Sequence, residues 1–152
     1  LDQKKNIVRV MIDYLDGKIK SKPQKIRYPK FFSKRNHSDC MIDWNNEAVF
    51  IERFIRALSI PAGPGAFTIY NNKRLTILTS EIYPCDDYIE IPGHVVYKAN
   101  ERILVKTKDK CIWIEDVIYN NVKSKAGSVI RKNGVRLGLN ITEEILKERK
   151  II

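Results

Sequence analysis

Three cysteines, two histidines and six prolines are all that the 152-residue chain holds of those types. Cys40, Cys85 and Cys111 lie far apart with no Cys-x-x-Cys pair. That argues against a disulfide framework or a structural zinc site and for a reducing, cytoplasmic setting. No uncharged apolar run reaches the ~18 residues of a membrane span, and no secretory leader pattern opens the chain, so no membrane partner is expected. Glycine-rich phosphate loops of the P-loop or dinucleotide type are missing too. Gly63-Pro64-Gly65 is a rigid turn, because proline lacks the amide hydrogen a phosphate cradle needs. There is no internal repeat and no low-complexity tract. The chain starts at Leu1 rather than Met, which suggests a fragment or processed product.

What is abundant is positive charge. Lys and Arg number 28 against 18 acids, a formal charge of +10, and a surplus of that size favours anionic partners, nucleic acid first. It is unevenly spread: residues 1–76 carry 15 basic and 7 acidic side chains, net +8, and residues 77–152 carry 13 and 11, net +2. The densest stretch, 17–38, holds Lys18, Lys20, Lys22, Lys25, Arg27, Lys30, Lys34 and Arg35 with no acid. Eight like charges with Pro23 and Pro29 resist a packed helix. The stretch reads as an extended linker over a surface. Its cations either bind phosphates or simply solvate a connector. Tyr28, Phe31 and Phe32 lie among them, placed to stack on bases or to anchor the linker.

The hydropathy pattern predicts two helices, then strands. Residues 2–16 repeat Ile7, Val8, Met11, Ile12 and Leu15 along one stripe, with Asp2 as cap and Gly17 as stop. Such a stripe has to be covered, either by the rest of this chain or by an upstream domain of which it is the last helix. A second helix, roughly 46–59, has Asn45 or Asn46 as its cap and stops at Pro61–Gly65. From Ala66 the pattern turns to strands: 66–70 and 74–83 about the turn Asn71-Asn72-Lys73, then 94–98, 102–107 and 111–118, with one more strand within 126–139. Short strands with tight, evenly spaced turns predict a mainly β chain, a small OB-like barrel with flanking helices. Thr142 caps an expected closing helix over 142–150.

The catalytic inventory is thin, with no catalytic residue and no metal ligand set assigned. His37, Asp39 and Cys40 match no zinc spacing and read as a polar linker cluster. His94 opens a strand as a surface or hydrogen-bonded histidine. Asp86 and Asp87 are adjacent carboxylates in a loop, ordinarily solvated. Trp44, Phe50, Phe54, Phe67 and Trp113 fall where core packing is the usual role.

A family resemblance runs through Lys22-Pro23-Gln24, Ile42-Asp43-Trp44, Ile55-Arg56-Ala57, Pro64-Gly65-Ala66-Phe67, Lys73-Arg74-Leu75-Thr76-Ile77, Pro92-Gly93, Ile103-Leu104-Val105 and Ile112-Trp113-Ile114. In this order it resembles the C-terminal part of the methionyl-tRNA formyltransferase family, over residues 1 to about 120. The resemblance implies that 1–16 is the last helix of an N-terminal catalytic domain. It implies further that 17–44 is the basic interdomain linker and 45–152 the C-terminal barrel domain. Formyl transfer from 10-formyltetrahydrofolate belongs to that catalytic domain, so no catalytic residue and no cofactor is carried over to this chain. The implied partners are initiator methionyl-tRNA and the N-terminal domain of the same protein. The linker cations are the expected nucleic-acid contacts, with Lys73 and Arg74 of the first hairpin behind them. Pro61-Ala62-Gly63-Pro64-Gly65 departs from the family pattern by an extra residue and a missing aromatic, and residues 120–152 do not follow it. A sugar-nucleotide N-formyltransferase module and a stand-alone basic RNA-binding barrel stay as alternatives.

Overall fold

A computed structural model of the protein describes residues 3–23, 35–85, 88–138 and 149. The chain forms two compact units, Leu1–Lys34 and Arg35–Ile152. In the first, helix α1 spans Gln3–Leu15. Gly17, at φ +72°, closes it in the left-handed conformation that glycine adopts without strain. The Gly17 N–H donates to the Tyr14 carbonyl at 3.1 Å and the Lys18 N–H to the Asp13 carbonyl at 2.9 Å, so two carbonyls at the helix end are satisfied. The apolar stripe of α1 is laid out as the pattern predicts, yet each of its five residues is more than half exposed, Leu15 by 80%.

The second unit starts at Arg35, inside the stretch expected to be linker up to residue 44. Cys40, Ile42 and Trp44 are buried in its core and fix residues 40–44 against the strands. Helix α2 spans Ala48–Ala57. Neither asparagine caps it. Asn45 and Asn46 instead fold around Asp43, whose carboxylate accepts from the Asn45 amide at 3.0 Å. The Ala48 N–H donates to the Asp109 carboxylate at 2.8 Å, so the cap comes from a turn 61 residues away. At its other end Gly63 and Gly65 donate to the carbonyls of Ser59 and Leu58.

Eight short strands follow: β1 Phe67–Tyr70, β2 Lys73–Ile77, β3 Ser80–Tyr83, β4 Val95–Lys98, β5 Ile103–Lys106, β6 Cys111–Ile114, β7 Asp116–Tyr119 and β8 Val122–Lys125. They form two antiparallel sheets, β1-β2-β7-β8 and β3-β6-β5-β4. Two strands expected as single pieces, 74–83 and 111–118, each break and pass from one sheet to the other, at Leu78-Thr79 and at Glu115. The two breaks are paired: Leu78 N–H donates to the Asp116 carbonyl at 2.9 Å, and Asp116 N–H to the Thr79 hydroxyl at 2.8 Å. A bend shared by two neighbouring strands is how a small sheet turns a corner. Alternating side chains then point Leu75, Ile77, Ile103, Val105, Ile112, Ile114 and Val117 into one core. The fold is the expected mainly β, barrel-like one.

The outer edges of β1 and β4 are covered. Ile42 and Gly138 N–H groups donate to the carbonyls of Phe67 and Ile69 on β1, at 2.8 and 2.9 Å. Beside β4, Leu137 donates to Gly93, Gly134 to Val95, and Val95 to Val135, each at 2.8 Å. Residues 126–139 were expected to hold a strand. Ala126–Val129 is instead a single helical turn (α3), and 134–138 is an edge segment bridging β4 to β1. Trp44 sits at that seam, 4% exposed, its indole N–H donating to the buried Thr68 hydroxyl at 3.1 Å. A Cβ on Gly93, at φ +91°, would lie 2.7 Å from the Leu137 carbonyl oxygen and 3.3 Å from the indole. The expected closing helix over 142–150 falls, but for Arg149, outside the described residues, as does Asp2. Among the described residues no helix is long and apolar enough to cross a membrane.

Two stability measurements check this packing. Gly93→Ala is expected to lose about 2–3 kcal/mol in urea unfolding, since strain and a backbone clash coincide there. Burial pushes the Asp109 carboxyl up, but hydrogen bonds from the Ala48 and Lys110 amides, the Thr107 hydroxyl and its own amide outweigh that and hold it below the usual 3.8. Its stabilisation is therefore full above 3.8 and is lost as pH falls through the lower folded value. Asp109→Ala is expected to cost about 1 kcal/mol at neutral pH, with the gap to wild type closing in acid.

Candidate nucleic-acid interface

Of the ten cations expected to meet a nucleic acid, six lie among the described residues. Lys25, Arg27, Lys30 and Lys34 lie outside them, with Tyr28, Phe31 and Phe32. In the first unit Lys18 is partly engaged, 2.9 Å from Asp16 and 3.8 Å from Asp13. Lys20 and Lys22 are exposed and form no ion pair with a described residue. Arg35, in the second unit, lies 5.2 Å over the Phe54 ring, and its guanidinium donates to the Asp39 carbonyl at 3.5 Å.

Lys73 and Arg74 are neighbours with different duties. Arg74 stacks 4.2 Å over Phe67 and donates to the carbonyls of Pro64 and Gly65, at 3.2 and 3.3 Å, and to the Thr76 hydroxyl at 3.3 Å. It is a clamp between the 61–65 loop and β2, with little left for a ligand. Lys73 is exposed and makes no hydrogen bond or ion pair with a described residue. It lines an open groove of about 500 Å³ with Ile60, Pro64, Arg74, Thr76, Ile118, Asn120 and Asn121.

One of two matching turns lines that groove, through Asn120 and Asn121. Tyr70-Asn71-Asn72 joins β1 to β2, and Tyr119-Asn120-Asn121 joins β7 to β8. All four asparagines have positive φ, from 49° to 63°. Two such residues in a row make the turn that suits the twist of a tight hairpin, and asparagine tolerates it. The β2–β7 register sets Leu75 opposite Tyr119, with Lys73 at the start of β2 and Asn120-Asn121 just past the end of β7. The Tyr70 and Tyr119 rings meet at 5.7 Å. The Asn71-Asn72 turn was expected; Asn120-Asn121 and β8 were not, although the repeated Tyr-Asn-Asn is the signal that finds them.

Several other cations serve the fold. Lys125 lies 2.6 Å from Glu115, 3.1 Å from Asp116 and 3.9 Å from Glu101, tying β8 to the sheet corner. Hydrogen bonds to Glu115 and then Asp116 raise its pKa further above the usual lysine value. Arg102 stacks 4.2 Å over Trp113 and reaches Glu81 at 3.6 Å. Lys106, 7% exposed, donates to the Asp109 carbonyl at 3.1 Å. Trp113 and Phe50 were expected in the core. Trp113 is half-buried on the outer face of its sheet beside Tyr83 and Tyr97, and Phe50 is 56% exposed on α2, where it stacks on Phe54.

The groups singled out for chemistry are accounted for locally. Asp39 accepts from the Asn36 amide at 2.7 Å, buried Cys40 donates to the Asn36 carbonyl at 3.4 Å, and His94 Nδ1 lies 3.1 Å from Glu90. Asp86 and Asp87 lie outside the described residues. Among the described residues no cluster of three or more His, Cys, Asp or Glu side chains is placed to hold a metal ion. Cys40, Cys85 and Cys111 form no disulfide with one another.

The family model for the formyl transferase C-terminal domain matches residues 34–133. A methionyl-tRNA formyltransferase of Sulfurihydrogenibium sp. is 31% identical over 121 residues, covering 76% of this chain and 38% of that protein. Among solved structures, a variant of HypX from Aquifex aeolicus superposes with a TM-score of 0.56 at 21% identity, covering 93% of this chain and 23% of HypX. HypX in complex with tetrahydrofolic acid gives 0.56 at 20% identity, over 81% of this chain and 22% of that one. These two likenesses are of fold. The chain thus spans less than two fifths of the length of each of these relatives.

The contrast within the hairpin is measurable. Arg74→Ala is expected to cost about 1–2 kcal/mol, from lost carbonyl hydrogen bonds and ring stacking. Lys73→Ala is expected to stay within about 0.5 kcal/mol of wild type, as for an unpartnered surface residue. Paired urea titrations read both.

Proposed function

From the premise that this chain belongs to the formyl transferase family, through its C-terminal domain, we propose that it is the tRNA-holding portion of a methionyl-tRNA formyltransferase. The observation that carries this reading is the 31% identity, over 121 residues, to a protein of that name. The net charge of +10 supports it. Exposed Lys20, Lys22 and Lys73, joined by Lys25, Arg27, Lys30, Lys34 and Arg35, meet RNA phosphates and release their condensed counterions. Contacts of this kind hold and orient an RNA with little regard to sequence.

The chemistry then lies elsewhere. A catalytic domain ahead of residue 17 binds 10-formyltetrahydrofolate and moves its formyl group to the amino group of the methionyl-tRNA. This chain contributes affinity and orientation to that step in translation initiation. The uncovered apolar stripe of α1 favours placing residues 1–16 as the last helix of that domain, since such a face is stable only against a partner. Cysteines without a disulfide fit a cytoplasmic setting.

Filter binding of tRNA across a salt series tests the proposal. The log–log plot of affinity against salt is expected to fall by about 0.7–0.9 per phosphate contact. Lys20→Glu, Lys22→Glu and Lys25→Glu together should weaken binding roughly tenfold or more at low salt, with an unchanged thermal midpoint. A negligible, salt-independent signal would contradict the reading and favour a small acceptor such as a sugar amine.

A further inference from the structure

We propose that the groove lined by Lys73 and the Asn120-Asn121 turn is a binding site for an unpaired nucleotide of an RNA chain, a second mode of contact beside the linker cations. The inference rests on the RNA-holding role and adds where, and in what form, the RNA is gripped.

Four observations converge there. The groove holds about 500 Å³, within the ~300–1,000 Å³ of small-molecule sites. Its charge is of one sign, because no carboxylate lines it and Lys73 has no ionic partner among the described residues. Asn120 and Asn121 make no side-chain hydrogen bond with a described residue. Each therefore offers a donor and an acceptor from the same amide. Ile60, Pro64 and Ile118 add an apolar wall.

That set matches the parts of a nucleotide. The ammonium meets a phosphate, the amides meet the 2′-hydroxyl or a base edge, and the apolar wall takes the face of the base. Unpaired RNA can present all three at once, whereas a duplex keeps its bases stacked inward. A run of glutamates would leave the apolar wall without a counterpart.

The walls are rigid. Arg74 ties Pro64 and Gly65 to β2 through two carbonyl hydrogen bonds. The positive-φ turn sets the backbone of Asn120 and Asn121, and the β2–β7 pairing brings the end of β7 to the start of β2. A preformed site of this kind loses little freedom on binding.

The test replaces Asn120 and Asn121 by glycine, which accepts positive φ and deletes only the amides. Asn120→Asp with Asn121→Asp is a second variant that keeps side-chain size and turn preference. The full chain is titrated into a labelled unpaired RNA twelve-mer, its 2′-deoxy counterpart and a hairpin RNA of equal length. The glycine variant is expected to bind the unpaired RNA about fivefold or more weakly while keeping the hairpin within about twofold, as for the loss of specific rather than phosphate contacts. The aspartate variant should lose more. Lys73→Glu should weaken all three ligands and lower the salt slope by about one. Unchanged affinity of both asparagine variants for unpaired RNA, equal losses on hairpin and unpaired RNA, or equal competition by poly-glutamate overturns the groove proposal. If the linker lysine variants still weaken tRNA binding, only the groove falls; if wild type ignores tRNA altogether, the parent reading falls with it.

Discussion

The β unit depends on a single buried indole. Trp44 lies where the outer edge of β1 approaches that of β4, with its N–H on Thr68 and its ring against the bare backbone at Gly93 and Gly138. Any side chain at Gly93 would collide with the Leu137 carbonyl, so the bridging segment 134–138 could not close on Gly93 and Val95. Two uncovered strand edges would then remain, each a row of unpaired amides and carbonyls open to other chains. The spacing of Asp43-Trp44 and Pro92-Gly93, which carried the family resemblance, thus has a packing cause.

From this seam the geometry passes outward. Edges closed on either side hold the long pair made by β2–β3 and β6–β7, and the bend at Leu78-Thr79 and Glu115 divides it between two sheets. The β2–β7 half runs to the groove that Lys73, Asn120 and Asn121 line. Chain-wide charge overstates what is available to a ligand, because Arg74, Arg102, Lys106 and Lys125 hold loops, rings and carboxylates in place. Lys73, Lys20 and Lys22 are the exposed cations of the expected set that make no ion pair, hydrogen bond or ring contact with a described residue, so the candidate interface is narrower than the composition suggests.

Much of this was legible along the chain. Apolar spacing located α1 and α2, Gly17 marked the first helix end, and the Asn71-Asn72 turn marked the first hairpin. Features set by distant partners were not legible. The α2 cap comes from Asp109 instead of Asn45 or Asn46, because a carboxylate 61 residues away reaches the first amide. The breaks at Leu78-Thr79 and Glu115 show no interruption in hydropathy, since both halves of each strand face the same core. Trp113 and Phe50 look like core residues by type, but each lies on an outer face against Arg102 or Phe54. Lys73 and Arg74 are equivalent in sequence and unlike in structure, a difference that only the position of the Pro64 and Gly65 carbonyls creates.

The central claim is that this chain grips RNA through its free cations and the end of its β2–β7 hairpin pair. Amide chemical-shift mapping of the isotopically labelled chain during titration with tRNA tests it most directly. The account expects the largest changes at residues 18–22, 71–74 and 118–122, with Trp44 and the outer face around Trp113 left in place. Changes centred on Trp113, Tyr97 and Arg102, or none at a saturating excess of tRNA, would contradict it.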